Sequence, residues 1–195
     1  MMAMARKNEF RPDKIGRSFL EKFHLTLHQR QNLLKWALYA LLLLVLSVLQ
    51  DVLLSNFRVF GASTDLVPCC IVLICLTEGA ERGSVFTLIA SLLFLFSGSA
   101  PGFYTVPILT GLAVGVTIFQ QTFLRRQFST VLLCTAAALL VYELAVFGIG
   151  LVLEQTLFRR IGGFCLTAGM SLLTVPALYP AVRAIGRIGG ELWKE

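Results

Sequence analysis

The feature of this sequence that most constrains its fold is a glutamate at the centre of a long apolar segment. Glu143 lies near the middle of Val131–Leu153, a run of 23 residues that contains no other charged residue. A helix of that length can cross a hydrocarbon core about 30 Å thick. A carboxylate halfway along such a helix is costly unless it finds a partner, a proton or polar surroundings. Glu143 therefore predicts a membrane protein whose helices enclose a polar interior.

Two roles for Glu143 follow from this position. It is either a neutral or hydrogen-bonded group that stabilises the bundle, or part of a site for a partner or ligand. In both cases we expect its side chain to face the interior. Tyr142 points about 100° away around the helix, so the partner of Glu143 is expected on another span. Gln50 and Thr110 are the candidates.

Composition agrees with a membrane protein. Hydrophobic residues make up 56% of the 195 residues and charged residues only 14%, whereas soluble domains carry about 25% charged residues. The apolar residues form long blocks rather than helical stripes. We therefore predict an all-α integral membrane protein, a six-transmembrane-helix bundle, with spans at Leu33–Leu54, Leu66–Thr77, Gly83–Ser97, Tyr104–Phe119, Val131–Leu153 and Gly162–Val182.

The charged residues predict the topology. With six crossings and a cytoplasmic N-terminus, 14 of the 17 Lys and Arg residues lie in the cytoplasm. If the short second segment turned back instead, the split would be 10 inside to 7 outside. Because cytoplasmic loops carry an excess of basic residues, six crossings with both termini in the cytoplasm are favoured.

Three regions follow from this topology. Residues 1–32 form a basic cytoplasmic arm, either an interfacial amphipathic helix or a disordered leader. Residues 33–182 form the six-helix membrane domain, and residues 183–195 form a short basic cytoplasmic tail. We attribute the net charge of +6 to topology and to anionic lipids at the arm, not to nucleic acid.

Residues typical of enzymes and metal sites are sparse. The five cysteines form no CxxC pair and lie in apolar runs, so buried, inert thiols are expected. Both histidines lie in the arm, and the sequence has no GxSxG motif and no phosphate-binding glycine loop. We therefore expect no enzymatic activity, no cofactor and no metal site.

Several polar residues lie near the predicted span ends. Gln50 and Asp51 lie at the outer end of the first span. Asp65 directly precedes the second span, where it either caps that helix or contacts a partner. At the inner end of the same span, Glu78 is expected to form a solvated local cluster with Glu81 and Arg82.

A small-residue pattern occurs in the fourth predicted span. Gly111 and Gly115 form a GxxxG motif, which lets a second helix backbone approach closely. We favour packing inside the bundle for these glycines over an oligomer interface.

The order of these motifs resembles the rod shape-determining MreD family, from about Leu43 to Arg187. The family has Leu-Gln near the end of the first span, then Pro-Asp-Leu at the start of the second. A Gly-containing inner turn, a third helix rich in Gly and Leu, an outer Gly-containing turn and a small-residue-rich fourth helix follow. The corresponding stretches here are Leu49-Gln50, Thr64-Asp65-Leu66, Glu78–Gly83, Leu88–Leu93, Ser97–Gly102 and Gly111–Gly115.

Two departures from the family pattern matter. The proline of Pro-Asp-Leu is replaced by Thr64. The family often has an aspartate late in the third span, and the corresponding stretch Leu92–Phe96 contains no acid. If that aspartate has a shared role, this protein either lacks it or supplies the charge from another residue, for which Glu143 is a candidate.

The resemblance implies a fold and a role. MreD-like proteins are six-helix bundles similar to the substrate-binding subunits of energy-coupling-factor transporters. They are non-enzymatic scaffolds of the elongation machinery in the bacterial plasma (inner) membrane. They bind MreC and, through it, cell-wall synthases and the actin-like MreB.

The same fold leaves one alternative open, a substrate-binding subunit of a vitamin or small-molecule transporter. Such a protein needs convergent polar groups near the outer loops. The charged residues available there are Asp51, Arg58, Asp65, Glu154, Arg159 and Arg160.

Overall fold

A computed structural model describes residues 27–54, 64–124 and 127–188, and this part of the chain is all helical. Its six α-helices are α1 Leu27–Leu49, α2 Leu66–Glu78, α3 Ala80–Phe96, α4 Thr105–Phe123, α5 Phe128–Val152 and α6 Ile161–Gly186. A π-helical turn, Gln50–Leu54, continues α1, and a 3₁₀ turn precedes α6. The predicted all-α class is confirmed for these residues. Most of the predicted arm, Arg58 and the end of the tail lie outside them.

Four helical segments are long and apolar enough to cross a membrane. They are Arg30–Val52, Thr105–Phe123, Phe128–Val152 and Phe158–Gly186. Each predicted span coincides with one observed helix, and the largest difference is at α1, which begins at Leu27 rather than Leu33. The shortest helix, α2, has 13 residues, a length of about 20 Å. It is therefore shorter than the hydrocarbon core.

The short helix α2 forms the centre of the bundle. Every other α-helix contacts it, and all of its residues from Leu66 to Leu76 are buried. A helix that is apolar on every face needs to be surrounded on every face. Pro68 is tolerated because it lies in the first turn, where the backbone N–H has no intrahelical partner.

The chain reverses direction between consecutive helices. Gly79 alone separates α2 from α3, and its φ of 91° is one that glycine adopts easily. Gly83 of α3 then lies against Cys75 of α2, so the two helices form an antiparallel hairpin. The helix α6 runs parallel to α2, because Ser171 lies beside Asp65 and Gly186 lies beside Glu78.

The predicted internal packing of the GxxxG motif is wrong. Gly111 and Gly115 are both exposed, and no atom lies within 4 Å of where a Cβ on either residue would sit. The close approach occurs instead at Gly83, where an added Cβ would lie 3.0 Å from the Cα of Cys75. The small residues of α4 therefore belong to the outer surface of the bundle.

Gly83→Val is expected to destabilise the bundle by about 1–3 kcal/mol, because the backbone of α2 cannot move away from the new side chain without disturbing its other contacts. The matched control is Gly111→Val, which places the same side chain on an open helix surface. Unfolding in detergent measures both. Equal stability losses for the two variants would contradict the assigned packing.

Candidate functional site at the two ends of the buried helix

The buried and half-buried ionisable residues Lys35, Asp65, Glu78 and Glu143 lie at the two ends of α2. Because α2 is short, both of its ends lie among other helices. The first N–H groups and last C=O groups of a helix have no intrahelical partner and must find partners there. We call Asp65, Glu143, Tyr142 and Thr105 the acid cluster, at the start of α2. The ion-pair cluster, at its end, is Lys35, Tyr39 and Glu78.

Side chains from α1 and α6 hold the start of α2. The Val67 N–H donates a hydrogen bond to Oε1 of Gln50 at 3.0 Å. The Asp65 N–H donates to Oγ of Ser171 at 2.8 Å, and that hydroxyl in turn donates to the Thr167 carbonyl oxygen at 2.8 Å. The π-helical turn after α1 therefore contains Gln50, whose side-chain amide binds the first turn of α2.

The carboxyl groups of Asp65 and Glu143 lie close enough to interact with each other. Only 4% of Glu143 is exposed, so the predicted interior orientation is confirmed. The predicted partners of Glu143 are wrong. Gln50 instead accepts a hydrogen bond from the Val67 N–H, and the Thr110 hydroxyl pairs with the Ser91 hydroxyl at 3.1 Å. The predicted capping role of Asp65 is also wrong, because its side chain makes no cap hydrogen bond.

Two buried carboxyl groups side by side repel each other when both are ionised. The pair therefore favours a state in which at least one member is protonated. Asp65 lies before α2, outside the spanning helices, and burial raises the pKa of its carboxyl. The positive end of the α2 dipole favours negative charge at this position. The carboxyl pair therefore lies next to a helix end that accommodates an anion.

Two buried hydroxyl groups complete the acid cluster. Tyr142 is 2% exposed and Thr105, the first residue of α4, is 0% exposed. The two side chains lie next to each other and Tyr142 lies close to both carboxyls. Among the described residues, neither hydroxyl has a hydrogen-bond partner. Unpaired buried hydroxyls are costly, so these two are polar groups that the bundle itself leaves unused.

The ion-pair cluster ties α1, α2 and α6 together. Lys35 Nζ lies 2.5 Å from Oε2 of Glu78, and the two side chains are 3% and 5% exposed. The Tyr39 hydroxyl donates to Oε1 of Glu78 at 2.7 Å and lies 3.3 Å from the Val182 carbonyl oxygen. The lysine also offsets the negative end of the α2 dipole. The predicted solvated cluster is therefore wrong for Glu78.

The position of Lys35 in the sequence could have predicted the Lys35–Glu78 pair. It lies inside the first predicted span, and a charge within a span calls for a buried partner at the same depth. Glu78 directly follows the predicted second span and is the last residue of α2, which is antiparallel to α1. The aromatic rings of Trp36, Tyr39 and Phe86 pack together beside the pair, with centroids 5.2–5.9 Å apart.

The remaining predicted site residues lie outside both clusters. Asp51 is exposed and accepts a hydrogen bond from the Ser99 hydroxyl at 2.6 Å. Cys69, Cys70, Cys75 and Cys134 are buried as predicted, whereas Cys165 is exposed on α6. Within the described ranges, no three His, Cys, Asp or Glu residues come together as a metal-binding group.

An apolar groove opens on the side of the bundle between α1 and α3. We call it the lateral groove; its volume is about 470 Å³. Its α1 wall presents the small residues Ala37, Ala40 and Ser47, and its α3 wall includes Ala90. Ala37 and Ala40 are exposed. Small residues at i, i+3 and i+10 lie along one face of α1, so a second helix can approach closely there.

Removal of one member of the ion pair is expected to cost about 3–5 kcal/mol, because it leaves the other charge buried and unpaired. Lys35→Met and Glu78→Gln each make this change, and the double variant is expected to recover most of the loss. Glu81→Gln, an exposed position in the next helix, is the matched control. Denaturant unfolding in micelles provides the measurement. Losses that simply add in the double variant would show that the pair does not couple the helices.

The acid cluster predicts that stability falls as pH rises. In the folded state the pKa of Asp65 lies above its ordinary value, so the folded chain binds more protons than the unfolded chain in the interval between the two values. Stability is therefore complete below the ordinary aspartate value of about 3.9 and declines above it, as the pH approaches the raised value.

Melting temperatures across about pH 4 to 8 measure this decline. The double variant Asp65→Asn/Glu143→Gln is expected to remove most of the dependence, because amides keep hydrogen bonds without titrating. Asp51→Asn changes an exposed carboxyl group, and this variant is expected to retain the pH dependence of the melting temperature. A wild-type melting temperature that rises with pH, or a slope unchanged in the double variant, would contradict the shared proton.

Comparisons of this chain with protein-family models, with curated proteins and with solved structures gave no match. The roles of the two clusters therefore follow from their chemistry. The ion-pair cluster is internally neutral and joins three helices. The acid cluster is a carboxyl pair beside two buried hydroxyls that have no hydrogen-bond partner among the described residues.

Proposed function

We propose that this chain is a non-enzymatic scaffold of the MreD type in the bacterial plasma membrane. In this proposal it binds the transmembrane helix of an MreC-like partner and, through it, influences cell-wall synthases and the actin-like MreB. Binding alone would be the mechanism: contacts made to one conformation of a partner increase the population of that conformation. Regulation of cell shape and peptidoglycan synthesis would follow from this shift.

The lateral groove is the observation that carries the proposal. Lipid tails are as apolar as leucine, so helices associate in membranes through close packing at small residues rather than through the hydrophobic effect. Ala37, Ala40 and Ser47 provide such a face, and the space between them and α3 is about 470 Å³. A transmembrane helix of a partner is the occupant that this face and volume fit best.

Rigidity of the bundle supports the same role. A scaffold has to hold its binding face in one geometry. The Lys35–Glu78 pair fixes α1 against α2 at one end, and Gln50 fixes them at the other through Val67. Polar contacts thus hold the α1 wall of the groove at both ends. Lipid tails could not replace these contacts, because they offer no hydrogen-bonding or charged groups.

Six crossings with both termini in the cytoplasm are part of the proposal. The support is the antiparallel order of consecutive helices and the distribution of 14 of the 17 Lys and Arg residues to one side. A short span such as α2 is tolerated inside a bundle, where protein rather than lipid surrounds it. Reporter fusions after Phe128 and after Lys194 are both expected on the cytoplasmic side; either one outside would overturn six crossings.

Co-purification with an MreC-like membrane protein tests the function. The wild-type chain is expected to retain the partner in detergent. Ala40→Trp fills the lateral groove and is expected to reduce recovery by about tenfold or more, the effect of losing a central packed contact. Gly111→Trp, on a different exposed face, is the matched control and is expected to bind normally. No recovery of the partner with the wild-type chain would contradict the scaffold.

The alternative function is a substrate-binding subunit of an energy-coupling-factor type transporter. The acid cluster favours it, because buried carboxyl and hydroxyl groups converge on one end of the bundle. Mass spectrometry of the purified protein distinguishes the two functions. The scaffold predicts no bound metabolite. A stoichiometric vitamin or similar small molecule, with no MreC-like partner recovered, would favour the transporter subunit.

A further inference from the structure

The lateral groove is closed at both ends and open along its side. At one end the rings of Trp36 on α1 and Phe86 on α3 are in contact, with centroids 5.2 Å apart. At the other end the Ser99 hydroxyl, which follows α3, donates a hydrogen bond to Asp51 in the π-helical turn at 2.6 Å. Between these contacts the groove extends over residues 37–48 of α1, a length of about 17 Å. The groove is therefore an elongated slot that faces the membrane.

The lining of the groove suits a hydrocarbon chain. Its walls are apolar side chains, and among the lining residues only Ser47 has a polar side-chain atom. The slot reaches inward to Val67, which is 4% exposed at the start of α2. A chain inside the slot contacts protein on several sides, whereas lipid on a convex helix surface contacts protein on one. Dispersion attraction therefore favours a chain held in the slot over a chain in the surrounding lipid.

An exposed arginine lies on each wall just beyond the Trp36–Phe86 contact. Arg30 precedes the lining residue Ala37 by seven residues, so the two share one face of α1. Arg82 precedes Phe86 by four residues and shares its face of α3. Because α1 and α3 are both antiparallel to α2, the two arginines lie at the same end and differ in depth by about 3 Å. A tryptophan next to them is typical of head-group depth.

The two ends of the groove therefore differ in charge. At the arginine end, the nearby charge of Lys35 is balanced by Glu78. Glu81 points about 100° away from Arg82 around α3, so this end of the groove is basic. The opposite end carries the exposed carboxyl of Asp51. An apolar slot with one basic and one acidic end matches a molecule that has a hydrocarbon chain and an anionic head group, and basic pockets between membrane helices bind such head groups.

We propose that the lateral groove binds an anionic phospholipid, with one acyl chain in the slot and the phosphate beside Arg30 and Arg82. The shape and charge of the groove carry this site. The scaffold proposal assigns the same groove to a partner helix, which would enter by displacing the lipid; only this displacement rests on the proposed function. The acidic end at Asp51 orients the lipid, because it repels the phosphate and leaves the arginine end as its place.

Lipid binding by the full chain in detergent tests the site. The protein is delipidated, and phosphatidylglycerol or phosphatidylcholine with identical acyl chains is then added at increasing concentration. Native mass spectrometry is expected to show one phosphatidylglycerol retained per chain, with a saturable rise in melting temperature. Phosphatidylcholine, whose head group is neutral overall, is expected to bind about 25-fold more weakly, the effect of two arginines. Inorganic phosphate, which has no acyl chain, is expected to leave the melting temperature unchanged.

Variants separate the head-group contact from the chain contact. Arg30→Gln is expected to weaken phosphatidylglycerol binding about fivefold and to leave phosphatidylcholine binding unchanged. The double variant Arg30→Gln/Arg82→Gln is expected to bind both lipids equally. Arg183→Gln is the matched control, because Arg183 is an exposed arginine of α6 that lies over the Tyr179 ring, away from the groove; it is expected to retain the preference. Ala40→Trp fills the slot and is expected to weaken binding of both lipids.

Four results would overturn the lipid site. They are equal retention of both lipids by the wild-type chain, a preference that survives the double arginine variant, stabilisation by inorganic phosphate equal to that by phosphatidylglycerol, and unchanged lipid binding in a folded Ala40→Trp. The two proposals fail separately. Phosphatidylglycerol retained without any MreC-like partner would support the lipid site and contradict the scaffold, and partner recovery without lipid retention would do the reverse.

Discussion

The structure depends on the need to satisfy both ends of a helix that is shorter than the hydrocarbon core of a membrane. At 13 residues, α2 spans about 20 Å, so its terminal N–H and C=O groups lie where water cannot serve them. In lipid every backbone polar group has to be satisfied within the protein. The five surrounding helices bury its apolar faces, and polar side chains from α1, α5 and α6 meet its ends. The contacts of Gln50, Ser171 and Lys35 therefore follow from the positions of the ends of α2.

The polar groups at the two ends of α2 find their partners in different ways. At its C-terminal end, Lys35, Tyr39 and Glu78 form a closed set in which each charge has its partner. At its N-terminal end, Gln50 and Ser171 accept the hydrogen bonds of the backbone N–H groups. The carboxyl groups of the acid pair are therefore not needed to cap the helix. The C-terminal end therefore joins helices through an ion pair, whereas the N-terminal end places a carboxyl pair beside the start of α2. The outer faces of α1 and α4 offer small residues to neighbours in the membrane.

Much of the helical layout could be predicted from the sequence, because lipid allows few alternatives to apolar helices. Each predicted span coincides with a helix, and Glu143 faces inward. The pairing of polar residues could not be predicted, since it depends on helix rotation. Depth suggested Gln50 and Thr110 as partners of Glu143 and did not point to Asp65, which lies beside it. Periodicity could not show that Gly111 faces outward. Short apolar helices such as α2 have no polar face to indicate which neighbours surround them.

Thiol labelling of the native protein tests the central claim that α2 is the buried core of the bundle. The chain carries its own probes: Cys69, Cys70 and Cys75 lie on α2 with 0% exposure, Cys134 is 3% exposed, and Cys165 is exposed on α6. A small membrane-permeant maleimide followed by peptide mass spectrometry reports each site. Modification of Cys165 well before the other four, which react only on unfolding, is the predicted result. Rapid modification of the α2 cysteines in the folded protein would contradict the account.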